Sequence, residues 1–157
     1  MPYIVDGNNV MGQTPGWHRD RSRARRVLLD QLACFARLKK ARITVVFDGA
    51  PDRDLPDGSA FQGVRVLYAQ QGSDADTRIE RLVESSPDPR GLIVVTSDRR
   101  LSLAVRSSRA STVRSGEFRR ELEHAVSSRQ PEEVKDLEVG DVNGWLRYFG
   151  EDSDEEE

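Results

Sequence analysis

Short runs of consecutive apolar, largely β-branched residues, each closed by a polar residue and separated by amphipathic stretches, constrain this chain more than any other feature. PYIVD, ITVVFD, VRVLYA and LIVVTSD are such runs, and residues 19–40, 73–84, 99–109 and 116–127 are the amphipathic stretches. Apart from Thr44, Arg65 and Thr96, residues 3–5, 43–47, 64–69 and 92–96 are apolar at successive positions, as strands covered by helices on both faces must be. The pattern predicts an α/β fold with a central, mostly parallel sheet flanked by helices. In the first long helix, Val27, Leu28, Leu32, Phe35 and Leu38 fall on one stripe and leave Arg21, Arg25, Arg26, Arg37 and Lys40 on the other faces. Cys34 belongs near that core.

Residues 48–59 and 85–91 read as loops from their Gly and Pro content. The expected domain runs over residues 1–129. Beyond it the composition turns acidic, and Val142, Trp145, Leu146 and Phe149 at helical spacing predict a docked helical segment over 130–150. Residues 151–157, EDSDEEE, predict a disordered acidic tail.

No apolar run approaches the roughly 18 residues of a membrane helix, and the N-terminus lacks a signal-peptide layout, so a cytoplasmic protein with no membrane partner is expected. One cysteine and two histidines, His18 and His124, make neither a disulfide nor a zinc-type cluster. Any metal must therefore be held by oxygen. DGNNVMG is not a GxGxxG turn, which argues against a nucleotide cofactor.

The net charge of −3 hides an uneven distribution, because residues 151–157 carry six acids and the remainder holds 21 acids against 24 bases. Residues 19–42 contain nine Lys/Arg against two aspartates, and residues 99–129 contain eight arginines against three glutamates. Either segment alone is an ordinary solvated helix face. Together they point to a polyanionic partner.

The acids fall where strands end. Asp6 closes the first run and Asp48 the second, Asp74 and Asp76 follow VRVLYA, and Asp98 closes LIVVTS. In a parallel sheet those ends share one edge, where ligands bind. Two carboxylates about 4 Å apart repel by roughly 4 kcal/mol at an effective dielectric of 20, and a hard dication, Mg²⁺ or Mn²⁺, would offset that repulsion. Each acid also has an ordinary account: Asp6–Gly7 and Asp48–Gly49 as turn pairs, Asp98 as the cap of the next helix, and Ser73 with Asp76 as a capping box. Those accounts do not explain an acid at every strand end. Asp76 and Glu80 form a like-charge pair at i,i+4.

Four blocks in order, DGNNVMG (6–12), VVFDG (45–49), GSDADTRIE (72–80) and VVTSD (94–98), resemble the YacP-like branch of the NYN domain family, within the PIN-like nuclease group. The resemblance implies a three-layer PIN-like fold and an endoribonuclease using Mg²⁺ or Mn²⁺ on single-stranded RNA or mRNA. Some members of the family are linked to ribosome-associated mRNA decay, which makes the ribosome an expected partner. Carried over residue by residue, it gives Asp6, Asp76 and Asp98 as metal ligands, with Asn9, Asp48, Glu80 and Ser97 as supporting catalytic positions. The chain departs from the family pattern at Asn8, at Ser73–Asp74 and at Leu101.

On that reading, Arg99 and Arg100 beside Asp98 hold flanking phosphates, and Arg19, Arg21, Arg23 and Arg25 extend the RNA track. His18 and His124 are incidental, and Trp17 is expected to pack in its loop rather than stack a base. The acidic tail is expected to be a solubilising end. The main alternative is a non-catalytic RNA- or ribosome-binding module on the same fold. A phosphatase or phosphoacceptor domain fits less well, since the first strand lacks a DxD pattern and the late strand lacks a lysine.

Overall fold

The computed structural model describes residues 1–69 and 74–128. The docked helix expected over 130–150 and the acidic tail of 151–157 lie outside the described residues.

Six strands form one sheet: β1 (Pro2–Asp6), β2 (Arg42–Phe47), β3 (Ala60–Phe61), β4 (Val64–Tyr68), β5 (Ile93–Val95) and β6 (Ser111–Val113). Their order is β3-β4-β2-β1-β5-β6, parallel throughout except for the short antiparallel edge strand β3. The helices are α1 (Gly7–Met11), α2 (Arg21–Lys39), α3 (Ala75–Glu84), α4 (Arg99–Ser107) and α5 (Ser115–Ser127).

Alternation along the strands builds two cores. Val5, Val45, Val66 and Val95 stand side by side in register and face α1, α2 and α5, where Tyr3, Phe35 and Phe118 form an aromatic cluster with ring centres 5.2 to 5.8 Å apart. Ile4, Val46, Leu67 and Val94 face the other way, against Ile79 and Val83 of α3 and Leu101 and Val105 of α4. The result is the expected three-layer α/β architecture.

The chain builds outward from β1 to β2 and β4, then returns to add β5 and β6 on the opposite side. The strand order therefore switches between β1 and β5, and the crevice at their carboxyl ends is the ligand position of an open α/β sheet.

Several details differ from the sequence expectations. Asp6–Gly7 is not a turn, because the chain passes from β1 directly into α1. Gly7 is required by close approach: a Cβ there would lie 2.5 Å from Phe47 Cδ1 and 3.0 Å from Val45 Cγ2. Gly49 does occupy a turn, with φ of 93°. Leu38, assigned to the apolar stripe of α2, is 48% exposed in the last turn of the helix. Arg25, assigned to the solvated faces, is buried. Cys34 is buried as expected. Among the described residues no helix is long and apolar enough to cross a membrane.

Candidate active site

Asp6 ends the central strand and is 4% exposed. Its Oδ2 accepts a hydrogen bond from Thr96 Oγ1 at 2.9 Å. Burial, opposed by that bond and reinforced by the charges of Asp76 and Asp48, pushes its carboxyl up to about 7. Thr96 also accepts from the Asp98 N–H at 3.1 Å, so one buried hydroxyl joins the ends of β1 and β5. Asp98 is the N-cap of α4, its Oδ1 accepting from the Leu101 N–H at 2.9 Å. The ordinary capping role and the place at the acidic edge thus coexist in one side chain.

Asp76 lies in the first turn of α3. Desolvation, followed by the charges of Asp98, Asp74 and Asp48, raises it to about 6. Ser73, the partner expected for it in a capping box, lies outside the described residues. The cap of α3 is Asp74, whose Oδ1 accepts from the Thr77 N–H at 2.8 Å and whose carboxyl is held low chiefly by its bonds to Thr77. Asp48, just beyond β2, is held on three sides: its N–H donates to Asn8 Oδ1 at 2.9 Å, its Oδ1 accepts from the Ala75 N–H at 2.9 Å, and its carbonyl accepts from Arg25 Nη2 at 2.6 Å.

Asn9 and Ser97 act as ties between segments. Asn9 Oδ1 accepts from the Ser97 N–H at 2.8 Å and from the Ser115 hydroxyl, while Ser97 Oγ accepts from the Ser115 N–H at 3.0 Å. Glu80, one turn beyond Asp76 on α3, takes part in none of these contacts. Thr96 and Ser115 were not singled out in the sequence; Thr96 sits inside the VVTSD block, whereas Ser115 had no local signal.

Asp6, Asp48, Asp76 and Asp98 therefore converge on the carboxyl edge of the sheet and repel one another there. Among the described residues, however, no three acidic, histidine or cysteine side chains stand close enough to make a ready metal-ligand group. The donors are all oxygen, and the charge excess is borne by the two most desolvated carboxylates. An oxygen-only set is the donor type that Mg²⁺ and Mn²⁺ take, with water filling the rest of the shell.

The arginines divide. Arg99 and Arg100 are exposed in the first turn of α4, and the Arg100 charge reaches Asp74 across the edge. Arg19 and Arg21 are exposed and Arg23 half-buried where α2 begins, with Arg21 Cζ 5.7 Å from the Trp17 ring centre. Trp17 is half-buried and packs on the α2 core, as expected of a loop tryptophan. Arg25 leaves the proposed RNA track: its guanidinium is enclosed between Phe47, Tyr68 and the loop after β2.

A family model of the YacP-like NYN domain matches residues 3–141. The chain belongs to the YacP-like NYN domain family. This membership makes it a nuclease-type, RNA-related domain. The fold is similar to crystal structures of Rae1 (YacP) from Bacillus subtilis. The W164L mutant gives a TM-score of 0.69 at 24% identity, over 94% of this chain and 91% of that one. A second Rae1 structure gives 0.67 at 25% identity, over 96% and 89%. No curated protein sequence matches. Within the YacP-like NYN frame, the four blocks read from the sequence map onto the carboxyl ends of β1, β2 and β5 and the start of α3.

Proposed function

We propose that this YacP-like NYN domain is a cytoplasmic, metal-dependent endoribonuclease that hydrolyses phosphodiester bonds of single-stranded RNA or mRNA, with Asp6, Asp76 and Asp98 as ligands of Mg²⁺ or Mn²⁺. The observation that carries this reading is the pair of desolvated, mutually repelling carboxylates Asp6 and Asp76 at the sheet switch point. A carboxylate kept in that condition is relieved by a proton or by a cation, and a dication relieves several of them at once. When bound, the dication lowers the pKa of the attacking water and offsets charge on the phosphate oxygens.

The chain's own residues hold that edge in place. Thr96 orients Asp6 and the Asp98 backbone, while Asn9, Ser97 and Ser115 fix the turn before α4. Asp48 seats the first turn of α3 and so places Asp76. Arg99 and Arg100 hold phosphates on one side of the acidic edge, and Arg19, Arg21 and Arg23 continue the track towards α2.

The second reading, a non-catalytic RNA- or ribosome-binding module, is favoured by one observation: Asp48 and Asp98 each commit a carboxylate oxygen to a helix N-terminus. An assay on end-labelled single-stranded RNA, with and without Mn²⁺ and with and without ribosomes, separates the two. Cleavage that needs Mn²⁺ and is lost in Asp6→Asn is expected, and the ribosome lanes report where the enzyme works. RNA binding without cleavage in every lane would establish the binding module instead.

A further inference from the structure

Arg25 is a buried cation that neither core packing nor RNA binding explains. It is 5% exposed in α2, and its Nε has no hydrogen-bond partner. Burying a guanidinium is costly unless its geometry is well used. Here Nη2 donates to the Asp48 carbonyl at 2.6 Å, and Nη1 donates to the Ala50 carbonyl at 3.0 Å and to Asp52 Oδ1 at 3.1 Å. Its Cζ lies 5.3 Å from the Phe47 ring centre and 5.1 Å from that of Tyr68, two residues paired in register on β2 and β4. Ser22, about one turn earlier on α2, donates to the same Asp52 oxygen at 2.8 Å. Gly49 completes the cradle: its φ of 93° strains any side chain, and a Cβ would sit 3.3 Å from Nη2.

All of this fixes the backbone on the carbonyl side of Asp48, whose N–H and Oδ1 are already fixed by Asn8 and Ala75. We propose that Arg25 is a positioning residue for Asp48, setting the carboxylate that seats the start of α3 beside Asp76 and thereby the affinity of the edge for a dication. The inference rests on the metal-dependent reading of the site. A planar fork that lies over two neighbouring rings while bonding two carbonyls is a task lysine cannot perform, although it keeps the charge.

The test is Mn²⁺ affinity by calorimetry on the full chain, for wild type, Arg25→Lys, Asp48→Asn and the double variant, with circular dichroism as the fold control. Residues that orient ligands typically contribute 10- to 100-fold in metal affinity; Arg25 acts on the ligand Asp76 through Asp48, so Arg25→Lys is expected at the low end, weakening Mn²⁺ binding by about tenfold. The double variant should bind no more weakly than Asp48→Asn alone, because Arg25 acts through Asp48. Wild-type affinity in Arg25→Lys, or losses that multiply in the double variant, would overturn the proposal while leaving the metal site standing. Wild type that binds no Mn²⁺ would overturn both. Should Arg25→Lys lose its fold, Asp52→Asn removes the guanidinium's carboxylate partner more gently. An unchanged Mn²⁺ affinity there overturns the proposal, and a weakened one supports it.

Discussion

The starts of α2 and α4 look alike in sequence and do different work. Each helix leaves the acidic edge of the sheet, each is capped by an aspartate, and each is rich in arginine in its first turns. At α4 the cap, Asp98, belongs to the acidic cluster, and Arg99 and Arg100 remain in solvent beside it. At α2 the cap, Asp20, is exposed, and Arg25 turns inward to grip the loop after β2. Position along the helix decides the difference. Arg25 is one residue past the buried Ala24, on the side of α2 that meets Phe47 and Tyr68. A count of charges cannot reveal whether an arginine faces water or two aromatic rings.

The largest expected contrast is in stability. Arg25→Met removes the counter-charge of Asp52 and leaves two loop carbonyls without their donor, and should cost about 3 kcal/mol, whereas Arg99→Met and Arg100→Met should each stay within about 0.5 kcal/mol of wild type. Urea unfolding of the three variants checks this, and equal costs at the two helices would erase the distinction.

The next effect belongs to the acidic edge at α4. Asp6 and Asp76 have folded-state values near 7 and 6, raised above 3.8, so between about pH 4 and 7 the native state binds more protons than the unfolded one. Stability in EDTA should therefore fall as pH rises from 5 to 8. Below about pH 4 the trend reverses, because Asp57, held low chiefly by its 2.7 Å bond from Arg78 of α3, and Asp74 lose their contributions as they protonate. Asp6→Asn should raise stability at pH 8 by about 2 kcal/mol, roughly half the full cost of a carboxyl moved from 3.8 to about 7 at about 1.4 kcal/mol per pH unit, and should flatten the profile. Thermal melts at both pH values measure it, and a wild type more stable at pH 8 than at pH 5 would contradict the assignment.

Thr96→Val is a smaller perturbation of the same edge. It removes the donor to Asp6 and the acceptor of the Asp98 N–H, at about 1–3 kcal/mol for the unsatisfied groups, and should raise the Asp6 carboxyl further, as followed by ¹³C NMR titration. Smallest in energy is the salt dependence of RNA binding. Replacing Arg99 and Arg100 together should reduce the slope of log K against log salt by about one to two, while Arg25→Met should leave the slope unchanged.

What the sequence made legible follows from how each signal is carried. β1, β2, β4 and β5 announce themselves because burial on both faces demands consecutive apolar residues. β6 reads Ser-Thr-Val, exposed or half-buried throughout, and carries no such run. The five residues of α1 are too few to show a helical period, and their Asp-Gly start imitates a turn. The aspartates were legible from their places at strand ends. Thr96 and Ser115 were not, because their bonds to Asp6 and Asn9 span 90 and 106 residues of chain. Arg25 was misread because a helical stripe has margins, and a long side chain on the margin can point either way.

The hydrogen at Gly7 has a consequence for tolerance to change. Because a methyl group there would collide with Phe47 and Val45, the strand and the helix that follows cannot be pried apart by even the smallest substitution. Asp6, Asn8 and Asn9 thus ride on a single inflexible splice at the centre of the sheet. Sequence drift at position 7 would therefore act on three side chains of the candidate site and its supports at once, and variation among active relatives should concentrate around the splice and spare it.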